Sequence, residues 1–391
     1  SYALFTTPKR RRARQAPERN GAAGSWEQER GTLVRIKSAA AFAVVPVFAL
    51  ALAACGSSTS SETTSSAAAE ATAAVSAEAS AVASEAASPA AESAVEKIAF
   101  FGFWKSNSFT QAVLAGVQEA ADAAGIEVVD LTTAEYDGVA QIKAVQDQTV
   151  KGDAQMYVVL ASDSVGMATA AQEAIDAGVT VVAGFTPLGP DFTTLEPQVP
   201  GLVVVGETPV DNGKVLAEMA ISACADLDPC NVAYLEGLKA LPLDNARTES
   251  FVATLAEGAP NATIVAQVEG GYSPDTGKKA AQDALQANPD INVMVGSSQA
   301  ILGAQGVVDT TKVKLIGNGS STEAFDAVNA GEWYALYNMD VNGIGSKSVE
   351  NGLAASAGTL DNFAFNIQEL RDPRGTKDVI AEYTPTYSDL G

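Results

Sequence analysis

The 391-residue chain has no histidine, only three cysteines, and 24 Lys and Arg against 47 Asp and Glu. Lack of histidine removes the side chain that titrates nearest neutrality and the commonest metal ligand, so histidine acid–base catalysis and histidine metal sites are excluded together. A net charge of −23 speaks against nucleic acid as a partner, because phosphates are gripped by clustered Lys and Arg. The one basic run, Lys9 to Arg12, precedes every stretch with folded character. Catalytic loops are missing as well. Six residues, not four, separate Gly206 from Gly213, and Val215 stands where a phosphate loop needs Ser or Thr. Gly317-Asn318-Gly319 lacks the third glycine of a dinucleotide loop, and no Gly-x-Ser-x-Gly elbow occurs. What is present is 47% hydrophobic residues with only 18% charged, enough for a large core and two globular lobes.

The chain opens with features of export. Arg35 and Lys37 form a short positive region, Ala39 to Leu50 an apolar one, and Leu52-Ala53-Ala54-Cys55 resembles the bacterial lipobox, whose cysteine takes a diacylglycerol before cleavage. The apolar run is shorter than the ~20 residues of a membrane span. Residues 34–54 are therefore expected to be a lipoprotein signal peptide and Cys55 the lipidated residue. Residues 1–33 lack hydrophobic periodicity and are expected to be upstream sequence, with Val34 as the start of translation. Without residues 1–54, which hold nine Lys and Arg and three Asp and Glu, the chain carries 15 against 44 and a net charge of −29. Residues 55–95 are mostly Ala, Ser, Thr and Glu, expected to be a flexible tether that holds the body ~35 Å from the membrane.

With Cys55 assigned to lipid, Cys224 and Cys230 remain, in Cys-Ala-Asp-Leu-Asp-Pro-Cys. An extracytoplasmic compartment permits a disulfide across this turn. Two free buried thiols or a metal site are the alternatives, the latter with an incomplete ligand set.

From Lys97 onward, short β-branched runs alternate with longer amphipathic ones, the pattern of βα units and a parallel sheet. Ten strands are expected, at residues 98–103, 127–131, 156–161, 180–185, 203–206, 232–236, 264–268, 293–296, 313–317 and 334–339. A helix over 108–124 is expected to start on Asn107 or Ser106 and to stop at Gly125. Ten strands exceed one ordinary open sheet, so the predicted fold is α/β, with two doubly wound parallel-sheet lobes joined by a hinge. The first lobe takes residues 96–207 and about 339–358, the second 208–338; residues 359–391 are left unplaced. Ligands of such sheets lie beyond the carboxyl ends of the strands, in the loops at 104–108, 162–165, 185–190, 237–245, 271–273, 297–299, 318–321 and 338–341. Asp163, Asp244 and Asp340 fall at such exits and are expected to be helix caps or turns.

Asn107-Ser108-Phe109, Arg247 to Phe251 after Asp244-Asn245, Asn288-Pro289-Asp290 and Leu302-Gly303-Ala304 occur in order. With them, residues from Lys97 to about Gly358 resemble a type I periplasmic binding protein of the ribose-binding branch, which serves ABC importers. The resemblance implies two α/β lobes, three crossovers and closure over a ligand. It places Asn107 and Phe109 on the ligand from the first lobe, and Arg247, Tyr272 and Asn338 from the second. The chain departs from the family where sugar-binding members carry an Asp-Arg pair, here Phe185-Thr186, an Asp, here Gly319, and a second-lobe Asn, here Ser297. Aromatic surface from Trp104 and Phe185 is expected to take over from the missing charges, which favours a sugar-like or less hydroxylated ligand.

The function this implies is a lipid-anchored receptor on the outer face of the cell membrane. It captures a small organic molecule and delivers it to ABC permease subunits, without cofactor, metal or chemistry of its own. A sensory module for a membrane kinase or chemoreceptor is the alternative, and neighbouring permease and ATPase genes discriminate between them. Replacement of Arg247 by Ala is expected to abolish binding and leave the fold intact.

Overall fold

The computed structural model describes residues 95–390; the expected upstream extension, signal peptide, lipidated Cys55 and nearly all of the tether lie outside the described residues. Val95 is buried in the first core, an apolar side chain packed at the entry to the first strand.

The first sheet is built from β1 (Lys97–Phe101), β2 (Glu127–Asp130), β3 (Met156–Val159), β4 (Thr180–Phe185) and β5 (Val203–Gly206). Between them run α1 (Ser108–Ala124), α2 (Gly138–Lys151) and α3 (Ser164–Asp176). The chain then crosses into a second unit: α4 (Pro209–Cys224), β6 (Cys230–Glu236), α5 (Pro242–Gly258), β7 (Ala262–Glu269), α6 (Pro274–Ala287), β8 (Val293–Ser297), α7 (Ser298–Gln305), β9 (Lys314–Asn318), α8 (Thr322–Ala330) and β10 (Ala335–Tyr337). It returns with α9 (Val341–Ser356) and β11 (Ala364–Asn366), and crosses a third time to β12 (Arg374–Gly375) and α10 (Lys377–Ile380). Strand order is β11-β5-β4-β3-β1-β2 in one sheet and β12-β10-β9-β8-β6-β7 in the other. All pairings are parallel except β10 with β12. This is the α/β fold of two doubly wound lobes.

Parallel sheets are covered on both faces, so their strands read as continuous apolar runs. Met156 to Val159 and Val203 to Val205 are buried throughout, and each such side chain contributes roughly 1.5–3 kcal/mol by leaving water. The helices start where short polar side chains reach back to free amides: Asn107 accepts from Thr110 N, Asp137 from Ala140 N, Asp163 from Val165 N and Gly166 N, and Ser321 from Ala324 N. Gly125 ends α1 with φ +72°. The return of α9 onto α1 depends on glycine. A Cβ on Gly116 would run into the Asn342 carbonyl, and one on Gly345 into that of Val113, so the two backbones touch.

Residues 359–390 divide between the lobes. β11 extends the first sheet beside β5 and β12 edges the second beside β10, which brings the described strands to twelve. Cys224 and Cys230 form a disulfide, Cα to Cα 5.5 Å, between the end of α4 and the start of β6. Among the described residues, no helix is long and apolar enough to cross a membrane, and no cluster of Cys, Asp and Glu is suited to a metal ion.

Candidate functional site

The carboxyl ends of both sheets face one cleft. From the first lobe, the loop after β1 carries Trp104, and the side chain of Asn107 caps α1, accepting from Thr110 N at 2.8 Å. Phe109 follows on the first turn. Its ring meets Phe185 at 4.8 Å and Phe103 at 6.3 Å between centroids, giving an aromatic wall. Phe185 closes β4 with φ +73°, a backbone conformation rare for an aromatic residue. The turn that imposes it also aims the ring at the cleft, and the Phe185 carbonyl accepts from Glu207 N at 2.9 Å.

From the second lobe, Leu241 and Leu243 at the start of α5 add apolar surface. One turn on, Asp244 and Arg247 share a helix face at i, i+3 spacing and are 2% and 5% exposed. Arg247 Nη1 donates to Asp244 Oδ1 at 2.5 Å and to the Tyr272 hydroxyl at 3.2 Å. The Tyr272 hydroxyl donates to Asp244 Oδ1 at 2.6 Å, and the Leu238 amide to Asp244 Oδ2 at 2.7 Å. Asp244 is therefore no helix cap, unlike Asp163 and Asp340, which do cap α3 and α9. It is the buried counter-ion of Arg247. Burial pushes the Asp244 carboxyl up, against the pull of Arg247 and its hydrogen bonds. Burial also opposes the Arg247 charge, but Tyr272 and Asp244 outweigh it and the guanidinium stays charged. Burial, reinforced by Asp244, keeps the Tyr272 phenol neutral. Arg247 Nε is buried without a hydrogen-bond partner.

Trp104, Asn107, Phe109, Phe185, Arg247 and Tyr272 line one cavity with about 540 Å³ of open space, mouth included. Trp104 faces Tyr272 across the cleft at 6.2 Å between ring centroids. Gln299 Nε2 reaches over to the Ser108 hydroxyl at 3.0 Å. Ser297 and Asn338 stand just outside this cavity. The Ser297 hydroxyl donates to the Gly271 carbonyl and accepts from Ala300 N, capping α7; its neighbour Ser298 lines the space instead. Asn338 donates from its side chain to the Asp372 carbonyl and from its amide to the Pro373 carbonyl, so it ties two crossovers together, and Met339 takes the wall position. Of the further wall residues, Gln299, Asn318 and Gly319 lie in the strand-exit loops where the sequence places ligands. Tyr387 lies in the unplaced final segment and had no local signal.

A family model described as a periplasmic binding protein domain matches residues 98–360. The chain belongs to that family. Among solved structures, this periplasmic binding protein is similar to an ABC transporter periplasmic solute binding protein from Actinobacillus succinogenes with bound D-allose, at 19% identity and TM-score 0.63, covering 73% of this chain and 99% of that one. A solute binding protein from Agrobacterium vitis bound with α-D-tagatopyranose shares 16% identity, TM-score 0.62, over 73% of this chain and 96% of its own. LsrB from Clostridium saccharobutylicum in complex with AI-2 shares 18%, TM-score 0.58, over 67% and 82%. At such identities the likeness speaks to the fold alone. A search of curated protein sequences gives no match.

Proposed function

We propose that this periplasmic binding protein is the solute receptor of an ABC importer, held at the outer face of the cell membrane through lipidated Cys55 and the residues that follow it. The observation that supports this best is the cleft itself: an aromatic wall on one lobe faces an ion-paired arginine on the other. A small oxygenated ring fits that contrast, its apolar faces against Phe109, Phe185 and Trp104 and its oxygens toward Arg247. The structural neighbours hold D-allose, α-D-tagatopyranose and AI-2, which suggests a ligand of monosaccharide size.

Arg247 Nε is unused, whereas both Asp244 oxygens already accept hydrogen bonds. A ligand that accepts more hydrogen bonds than it donates, with a carbonyl or ether oxygen at Arg247, avoids leaving buried hydroxyl protons unpaired at about 1–3 kcal/mol each. Asp244, Arg247 and Tyr272 are committed to one another, so the reading includes binding and release and no reaction.

The test is native mass spectrometry of the purified protein for a co-purifying molecule, followed by a thermal-shift screen. That screen sets D-allose, D-tagatose, D-ribose and D-galactose against less hydroxylated analogues. Stabilisation by the less hydroxylated set supports the ligand class, and tight ribose or galactose binding rejects it. Cys55→Ser is expected to release the protein from the membrane fraction.

A further inference from the structure

Residues beyond α10 turn back to the cleft, and the second lobe holds them there. The Thr322 amide and hydroxyl donate to the Tyr387 carbonyl at 2.8 and 3.0 Å. The Ser388 hydroxyl donates to Glu323 Oε1 at 2.6 Å, and the Asp389 amide to Glu323 Oε2 at 2.8 Å. The segment is thus fastened to the first turn of α8.

From that anchorage two side chains point inward. The Tyr387 ring enters the cavity wall, and its hydroxyl accepts from Ser320 N at 3.2 Å. It stands over Gly319, whose φ is +145° and whose missing Cβ would meet Ser298 Oγ and the Tyr387 hydroxyl. The phenol fills the space that a side chain at 319 would claim. Asp389, 9% exposed, reaches the other lobe, where its Oδ1 accepts from the Ser108 hydroxyl at 3.0 Å. Its Oδ2 is buried without a hydrogen-bond partner of good geometry. Ser108 opens α1 between the cavity residues Asn107 and Phe109, and the positive end of that helix favours a carboxylate. The same hydroxyl accepts from Gln299 of the second lobe. Burial raises the Asp389 carboxyl, opposed by the Ser298, Ser321 and Ser108 hydroxyls.

We propose that residues 387–389 are a clasp of the ligand site: Tyr387 sets the size of the molecule accepted beside Gly319, and Asp389 joins the closed lobes through Ser108. The inference rests on the solute-binding reading above and adds to it a specificity-determining residue and a latch, both from outside the matched residues 98–360. A latch made each time the lobes close, with or without ligand, slows release and leaves capture nearly unchanged.

The experiment compares full-length wild type with Tyr387→Ala, Tyr387→Phe and Asp389→Ala, each checked by thermal unfolding. Without sugar, amide hydrogen exchange of residues 107–112 and 386–390 in Asp389→Ala is expected to accelerate at least about threefold, because each segment protects the other across the cleft. Unchanged exchange overturns the latch. With D-allose and D-tagatose as probes, Tyr387→Ala is expected to lose about tenfold in affinity and Tyr387→Phe to keep it, while Asp389→Ala raises the dissociation rate about tenfold at a constant association rate. Wild-type affinity in Tyr387→Ala overturns the wall, as does equal loss in Tyr387→Phe. If neither sugar binds the wild type, that result agrees with the less hydroxylated class proposed above, the compound that stabilises the wild type in that screen replaces them as probe, and the exchange measurement still decides the latch.

Discussion

The Glu207 carboxylate accepts a hydrogen bond from the Tyr337 hydroxyl at the place where the chain passes between its lobes. Glu207 begins the first crossover and Tyr337 ends the strand before the second. Gln368, on the third, donates to Glu207 Oε2 at 3.2 Å and to the Tyr337 oxygen at 2.9 Å. Asn212 closes the cluster, donating to Glu207 Oε1 at 2.8 Å. All three connections are therefore tied through one buried carboxylate.

That carboxylate should make stability depend on pH with a definite sign. Burial lifts Glu207 above its ordinary value of 4.5, with Tyr337, Gln368, Arg247 and Asn212 only partly offsetting the cost of burying charge. Between the ordinary and the raised value, the folded protein keeps a proton that the unfolded chain has released. The contribution of Glu207 is thus fullest below 4.5 and falls as pH rises through the raised value, by roughly 1.4 kcal/mol per unit of difference. Glu207→Gln cannot titrate. Thermal unfolding of both proteins from about pH 4 to 8 should show the variant gaining on the wild type as pH rises; parallel curves would refute the assignment.

Arg247→Ala tests the ion pair in the cleft, and the structure changes what is expected of it. The sequence led to loss of binding with an intact fold. Because Asp244 and Arg247 are both buried, removing the guanidinium leaves a carboxylate without its counter-ion, which costs on the order of 3–5 kcal/mol. Urea unfolding of Arg247→Ala should show that loss alongside the loss of ligand binding. Asp244→Asn combined with Arg247→Gln should recover much of the stability and none of the binding. An Arg247→Ala protein as stable as wild type would show that Asp244 is not held as described.

The Cys224–Cys230 bridge sits at the start of β6, the end of the sheet opposite the cleft. Cys224→Ser with Cys230→Ser should cost roughly 2 kcal/mol on a loop-entropy account of so short a ring. Calorimetry should find ligand affinity unchanged, and a large loss of affinity would mean that the base of the second lobe communicates with the site.

Much of this architecture was legible because parallel strands buried on both faces need unbroken apolar runs, which Val203 to Val205 and Val293 to Val295 supply. The helix over 108–124 was equally open to reading, since Asn107 and Gly125 are local signals that act on adjacent backbone. What the sequence hid is non-local. Asp244 reads as a turn residue until α5 places it one turn from Arg247, and Ser297 differs from Ser298 only in which way the strand end turns them. Glu207 and Gln368 meet 161 residues apart. The edge strands β11 and β12 are three and two residues long, too short for periodicity, so nothing marked the segment that delivers Tyr387.

Phe185 offers the sharpest local test, because two ordinary preferences oppose each other there. Glycine in place of alanine normally destabilises by about 0.5–1 kcal/mol, owing to the freedom it gives the unfolded chain. At Phe185 the backbone has φ +73°, where a Cβ is strained and glycine is not, a difference of roughly 1–2 kcal/mol. Deleting the ring is common to both substitutions and removes its contacts with Phe109 and Phe103, at up to about 3–5 kcal/mol for a buried phenylalanine. The difference between Phe185→Gly and Phe185→Ala therefore isolates the backbone, and Phe185→Gly should be the more stable of the two in urea. Both should bind ligand equally poorly, since the lost wall is the same. If Phe185→Ala proves the more stable, the left-handed turn that aims this ring into the cleft is not kept in solution.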